Sequence, residues 1–163
     1  MKKVLGIAAV ISVGIIACVK SSDPGLSNPV CTPVAESAEQ PQIQAFIAKD
    51  SVPFNKDSSG VYYHISAPGT GLMASVYSTL FFTFKATLLD GTIIDSSNTT
   101  IQQPIATAIP AIQDMAEYFK IGTKIQLIVP SSLAYSCQGF TSDSITIAPN
   151  SVLFYNLNIT NIQ

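Results

Sequence analysis

Few side chains in this sequence could do chemistry, and their scarcity narrows what chemistry is available. His64 is the only histidine, on a stretch that reads as a strand with its ring toward solvent. Neither a histidine metal site nor a Ser-His-Asp relay can be built around one isolated imidazole. The segment from Pro68 to Met73 lacks the Lys-Ser/Thr of a phosphate loop and opens no helix. The ten acids are scattered, without the spacing of a metal cage or a glycosidase pair. Asp95 stands apart from the rest. Within LLDGTIIDSS, Leu88 to Ser97, the Asp90-Gly91 pair already supplies a polar break, yet an acid returns directly after Ile93 and Ile94. A hydrophobic strand end has no structural need for a carboxylate, so Asp95 is a candidate for orienting polar partners. Tyr135 is a candidate hydrogen-bond donor; the alternative is a Tyr that caps the turn from Pro130. No metal or organic cofactor is implied.

These residues need elements to position them. Val76 to Leu89 is rich in β-branched and aromatic residues and is closed by Asp90-Gly91, a two-residue hairpin signal, with Thr92 to Asp95 starting the return strand. Val61 to Ser66 alternates as a strand until Pro68, Gly69 and Gly71 interrupt it, and Lys124 to Val129 and Val152 to Ile162 read as two more. Pro110 to Phe119 has Pro in its first turn and Ile112, Met115, Ala116 and Phe119 on one face, which predicts a helix. A second, short helix is predicted after Ser37, with Ile43, Phe46 and Ile47 on one side, ending near Asp50. Several strands around one short central helix make an α+β domain: a half-wrapped antiparallel sheet with the helix across its concave face.

The N-terminus carries separate information. Lys2-Lys3 precede an apolar run from Val4 to Ala17, too short to span a bilayer as a mature helix. Ile15-Ile16-Ala17-Cys18 resembles a bacterial lipoprotein processing site, with Cys18 the acylated first residue of the mature chain; the alternative is an ordinary secretory signal or short anchor with Cys18 incidental. The expected organisation is a signal at 1–17, a Ser/Pro/Asn-rich tether at 18–36, a helix and linker at 37–59 and the main domain at 60–163. Removing 1–17 changes the formal charge from 8 − 10 = −2 to 6 − 10 = −4. With that balance and no Arg, the mature chain lacks the clustered positive charge that nucleic acid or anionic lipid headgroups require. Membrane attachment then rests on lipid at Cys18, and Val19 after it is compatible with the outer membrane. Cys31 and Cys137 remain as an even pair in an oxidising compartment, either bridged or as two distant thiols. Nothing indicates an oligomer, so a monomer is expected.

Four ordered signatures remain: GVYYHISAPGTG, LLDGTIIDSS, IPAIQDMAEYFKIGTKIQLIVPSSLAY and IAPNSVLFYNLNI. In this order, across about Gly60 to Ile159, they resemble the FKBP-type peptidyl-prolyl cis-trans isomerases, in particular lipid-anchored bacterial members. The resemblance implies an FKBP-like fold and a proline pocket. It places Asp95 on the acid of a Phe-Asp pair and Ile94 on its Phe, Phe84 on a pocket Tyr, and Tyr135 on the Tyr of Ala-Tyr-Gly. Ala108 and Ile109 fall on a Val-Ile pair, Ile112 on the Trp of the pocket floor, Ile147 on the Ile of Ile-Pro-Pro and Tyr155 on a wall Phe. Ile105 falls on another wall Phe, after a variable Asn98–Pro104 loop.

The implied substrates are proline-containing segments of exported or envelope proteins. Rotation about X-Pro breaks amide resonance over a barrier of about 18–20 kcal/mol. A dry apolar bowl that cannot solvate the planar amide favours the less polar twisted one without a nucleophile. Departures from the pattern cost ring area at Ile94 and Ile112 and a hydroxyl at Phe84, with Ser136, Ala111 and Ala148 replacing Gly, Gly and Pro. Losing two aromatic surfaces weakens proline capture by roughly one to two orders of magnitude. Two readings follow: an isomerase of reduced efficiency, or a non-catalytic FKBP-like binding or chaperone lipoprotein. Ile109, Ile112 and Tyr155 would also sit in a core whether or not a site works.

Overall fold

The computed structural model describes residues 31–50, 52–142 and 145–163. The processing signal, Cys18 and most of the tether lie outside them. Helix α1, Glu36–Lys49, has Glu36 and Glu39 in its first turn and Lys49 in its last, which complements the helix dipole. It begins before Ser37: the N-cap is Ala35, with no side-chain cap. Eight strands follow, interrupted by one further α-helix: β1 Asn55–Lys56, β2 Tyr62–Thr70, β3 Thr79–Leu88, β4 Ile93–Pro104, α2 Pro110–Asp114, β5 Ile121–Val129, β6 Phe140–Thr141, β7 Thr146–Ile147 and β8 Leu153–Ile162.

Six strands form one antiparallel sheet in the order β1-β2-β5-β8-β3-β4, and β6-β7 is a separate small hairpin. Alternation sorts the side chains onto two faces. On the concave face Leu80, Phe82, Ile125, Leu127, Leu153 and Ile159 pack with Ala111, Met115 and Phe119 from the helical segment. On the other face Tyr62, Ile128 and Val152 pack against Ile43 of α1, with Phe46, Ile47, Phe54 and Phe154 around them. Consecutive residues such as Leu127, Ile128 and Val129 are therefore all buried, two facing the main core and one facing α1. This is why IQLIV reads as a continuous apolar run. The architecture is an antiparallel sheet wrapped on one main helical segment.

Local departures from the sequence reading have physical causes. The helix predicted to Phe119 stays α-helical only to Asp114; Ala116–Tyr118 winds more tightly as a 3-10 turn, with Phe119 N–H on the Ala116 carbonyl at 3.0 Å. The tighter turn swings Phe119 fully into the core. Strand β2 is not broken at Pro68-Gly69 but runs on to Thr70 after a register shift between Ile65 and Ala67. Pro68 is tolerated because β1 pairs only with Tyr62 and Tyr63, leaving that side of the strand open. Gly69 is needed there: at φ 66°, a Cβ would lie 2.6 Å from Thr123 Oγ1.

The hairpin after β3 has one residue more than a two-residue turn, Leu89, Asp90 and Gly91, with Leu88 N–H on the Thr92 carbonyl at 2.9 Å and Gly91 at φ 91°. Strand β4 absorbs the stretch from Asn98 to Pro104 that reads as a variable loop, pairing Ile101 with Phe82 and Gln103 with Leu80. His64 is half-buried rather than solvent-facing, its ring tilted against Phe54 at 6.2 Å and Nδ1 3.0 Å from the Pro53 carbonyl.

Cys31–Gln163 is one compact unit. The end of the expected tether is fastened to it, since Cys31 is bonded to Cys137, and Val34 N–H donates to Asn150 Oδ1 at 3.2 Å.

Candidate active site

The concave face opens between the helical segment and the strand ends into a cavity of about 280 Å³. Strand β3 contributes Phe82, Phe84 and Ala86, three alternate residues on one face. Strand β4 contributes Ile94 and Asp95, neighbours that an unbroken strand would send to opposite faces. A bulge resolves this: Ala86 pairs with Asp95 but Thr87 pairs with Ile93, so Ile94 is the extra residue. Both side chains then reach the cavity. Ala108 and Ile109 come from the turn leading into α2 and Ile112 from its first turn; Tyr135 follows the Ser131–Leu133 turn, and Ile147 and Tyr155 stand on β7 and β8.

Of the residues singled out from the sequence, Asp95, Tyr135, Phe84, Ile94, Ala108, Ile109, Ile112, Ile147 and Tyr155 meet around this one cavity. Ile105 does not. It is fully buried in the core below, and Ile101 and Gln103 on β4 take the wall instead. The reason is the extension of β4 to Pro104, which puts Ile105 in the tight turn after the strand, inside the core. Sequence reasoning also missed Ile145 and Phe140. Phe140 has its ring 41% exposed and tilted on Tyr135 at 5.2 Å. The hairpin that carries them has strands of two residues each, too short to leave a pattern, and nothing in the sequence marked Phe140.

The loop carrying Tyr135 is held from several sides. Glu39 of α1, buried, accepts from Ser131 N–H at 3.1 Å. Cys137 is bonded to Cys31, and Asn150 N–H donates to the Ser136 carbonyl at 2.7 Å. Ser136 sits at φ 51°, in the left-handed region that a Gly would occupy without strain.

The rim chemistry is polar and neutral apart from one carboxylate. Asp95 accepts from Ser96 N–H at 2.7 Å and is exposed. Burial holds the Tyr135 phenol above its ordinary acidity range, with the Asp95 charge adding to it. The Tyr155 phenol is pushed up further, first by burial, then by Tyr135 and Asp95. Both phenols are therefore protonated donors at neutral pH. Among the described residues no group of three His, Cys, Asp or Glu side chains could hold a metal ion. What this arrangement can do is exclude water from an apolar guest and offer hydroxyl donors at its edge.

A family model described as FKBP-type peptidyl-prolyl cis-trans isomerase matches residues 73–160. The chain is 30% identical, over 71% of its own length and 42% of the relative's, to a probable FKBP-type peptidyl-prolyl cis-trans isomerase FkpA of Neisseria meningitidis. It is 28% identical to the outer membrane protein MIP of Legionella longbeachae, over 64% of this chain and 45% of that one. The crystal structure of FkpA from Escherichia coli superposes with a TM-score of 0.68 at 25% identity, covering 78% of this chain and 59% of that one. The chain thus spans less than half the length of these two curated relatives.

Proposed function

The chain belongs to the FKBP-type peptidyl-prolyl cis-trans isomerase family, and from that membership we propose that its cavity accelerates rotation about X-Pro bonds of exported or envelope proteins. We propose that it does so as a monomer anchored to the outer membrane through lipid on Cys18, after removal of residues 1–17. The prolyl ring enters between Phe84, Ile109, Ile112 and Tyr155. The planar amide, stripped of water there, loses more solvation than the twisted one, so the barrier to rotation falls. Tyr135 donates to a carbonyl of the bound peptide, and Asp95 orients polar groups at the rim. The observation that carries this reading is the convergence of an apolar cavity with Asp95 and Tyr135 at its edge, the former presented by the bulge at Ile94.

Efficiency is reduced because Ile94 and Ile112 offer less ring surface than the family's Phe and Trp; Phe140, its ring tilted against Tyr135, restores part of it. The same two isoleucines favour a second reading, a module that holds proline-containing segments without accelerating their isomerisation. A protease-coupled assay on the full chain, with several residues before Pro, separates the two. Rates above the uncatalysed reaction support the isomerase; rates equal to it, with measurable peptide binding, support the holding module.

A further inference from the structure

The Tyr155 hydroxyl has no task in a purely apolar wall, and a phenol in a dry cavity is costly unless its O–H is paired. Its surroundings offer candidate partners. In the sheet Ala86 pairs with Asp95 on one side and with Tyr155 on the other. Side chains of directly paired residues share a face, and the two flanking strands stand roughly 10 Å apart. Between them Ala86 offers only a methyl group, so the long Tyr155 side chain can lean over it toward Asp95. Tyr135 descends onto the same spot from its loop, and all three line the cavity. Phe84, one alternate position along β3, has no hydroxyl to contribute.

We propose that Tyr155 is a positioning residue: its hydroxyl donates to the Tyr135 oxygen and thereby directs the single Tyr135 proton into the cavity, toward the substrate carbonyl. A phenol has one proton to give and can accept as well. Without a donor partner, the Tyr135 proton is free to turn to the Asp95 carboxylate, whose charge acts on both phenols. This inference rests on the isomerase reading for its kinetic consequence but not for its structural one, and the tests separate the two.

In the protease-coupled assay, Tyr155→Phe should lower kcat about two- to tenfold, the worth of one neutral hydrogen bond, with KM little changed. In a Tyr135→Phe background the same substitution should cost nothing further, because its effect passes through Tyr135. Independently of any turnover, carbon-13 NMR of ring-labelled tyrosine should show the Tyr135 phenol titrating at higher pH in Tyr155→Phe than in the parent chain. Losses that multiply in the double variant would overturn the proposal, since they would make Tyr155 a packing residue. So would a Tyr135 titration that does not move. If the parent chain has no isomerase activity, the isomerase reading fails, and the titration alone decides whether the hydroxyl pair is oriented as described.

Discussion

At the scale of single residues, the site depends on a few groups that the rest of the cavity only frames. Asp95 is exposed and anchored by Ser96 N–H, so Asp95→Ala removes a rim charge without disturbing the core. The expected result is a several-fold lower kcat/KM, with the free energy of unfolding unchanged within about 0.5 kcal/mol. Phe140 is apolar, 41% exposed and tilted against Tyr135, a geometry that gains little in stability and much in guest contact. Phe140→Ala should weaken binding of a proline peptide in a calorimetric titration by roughly 0.5–1.5 kcal/mol. Ser136, held at φ 51°, is strained where Gly would be relaxed. Ser136→Gly should raise stability to denaturant by up to about 1 kcal/mol, less than the αL penalty because Gly is also freer when unfolded. Of these, the candidacy of Asp95 was legible in the sequence, because an acid after two isoleucines is chemically out of place, and Ser136 was marked as standing where the resemblance has Gly. Phe140 carries no such contrast, and its position depends on how the hairpin folds back over Tyr135.

At the scale of elements, the stretch from Pro130 to Asn150 carries Tyr135, Phe140 and Ile147, and its described residues form only tight turns and the two-residue strands β6 and β7. Its order comes from α1 and the residues before it: Glu39 on Ser131 N–H, Cys31 bonded to Cys137, and Val34 on Asn150. Glu39→Ala leaves a buried N–H unpaired and should cost about 1–3 kcal/mol in denaturant unfolding, whereas Glu39→Gln keeps an acceptor and should cost less. Cys31→Ser opens a link across a sequence separation of 106 residues. In the chain-entropy account that loss is about 4–5 kcal/mol. The even cysteine pair left its two states open in the sequence; the bond is visible only once the chain brings the two ends together, with Cα atoms 5.2 Å apart.

At the scale of the whole molecule, two faces of one sheet are used differently: the concave face for the core and the cavity, the other for α1. Alkaline pH tests how this body is held. Tyr118, hydrogen-bonded with Tyr63 and to Asp57 Oδ2 at 2.9 Å, and Tyr155, half-buried in the cavity wall, both have phenols raised above their ordinary value near 10. Above that value the unfolded chain loses phenolic protons that the folded chain keeps, so stability falls as pH rises. A denaturant midpoint flat from about pH 8 to 9.5 and declining beyond pH 10 is expected, with the decline reduced in Tyr118→Phe.

The sequence by itself determined the fold class, because strand alternation, turn residues and the apolar face beginning at Pro110 are local and agree with one another. It also marked most of the residues around the cavity, through the order of its motifs. Tertiary structure decided the rest. The bulge that turns both Ile94 and Asp95 inward, the burial of Ile105 in the core and the placing of Asp95 and Tyr155 on either side of Ala86 all depend on register between strands distant in the chain. A one-residue shift in pairing moves a side chain to the opposite face, and that shift is set by the packing of the whole sheet.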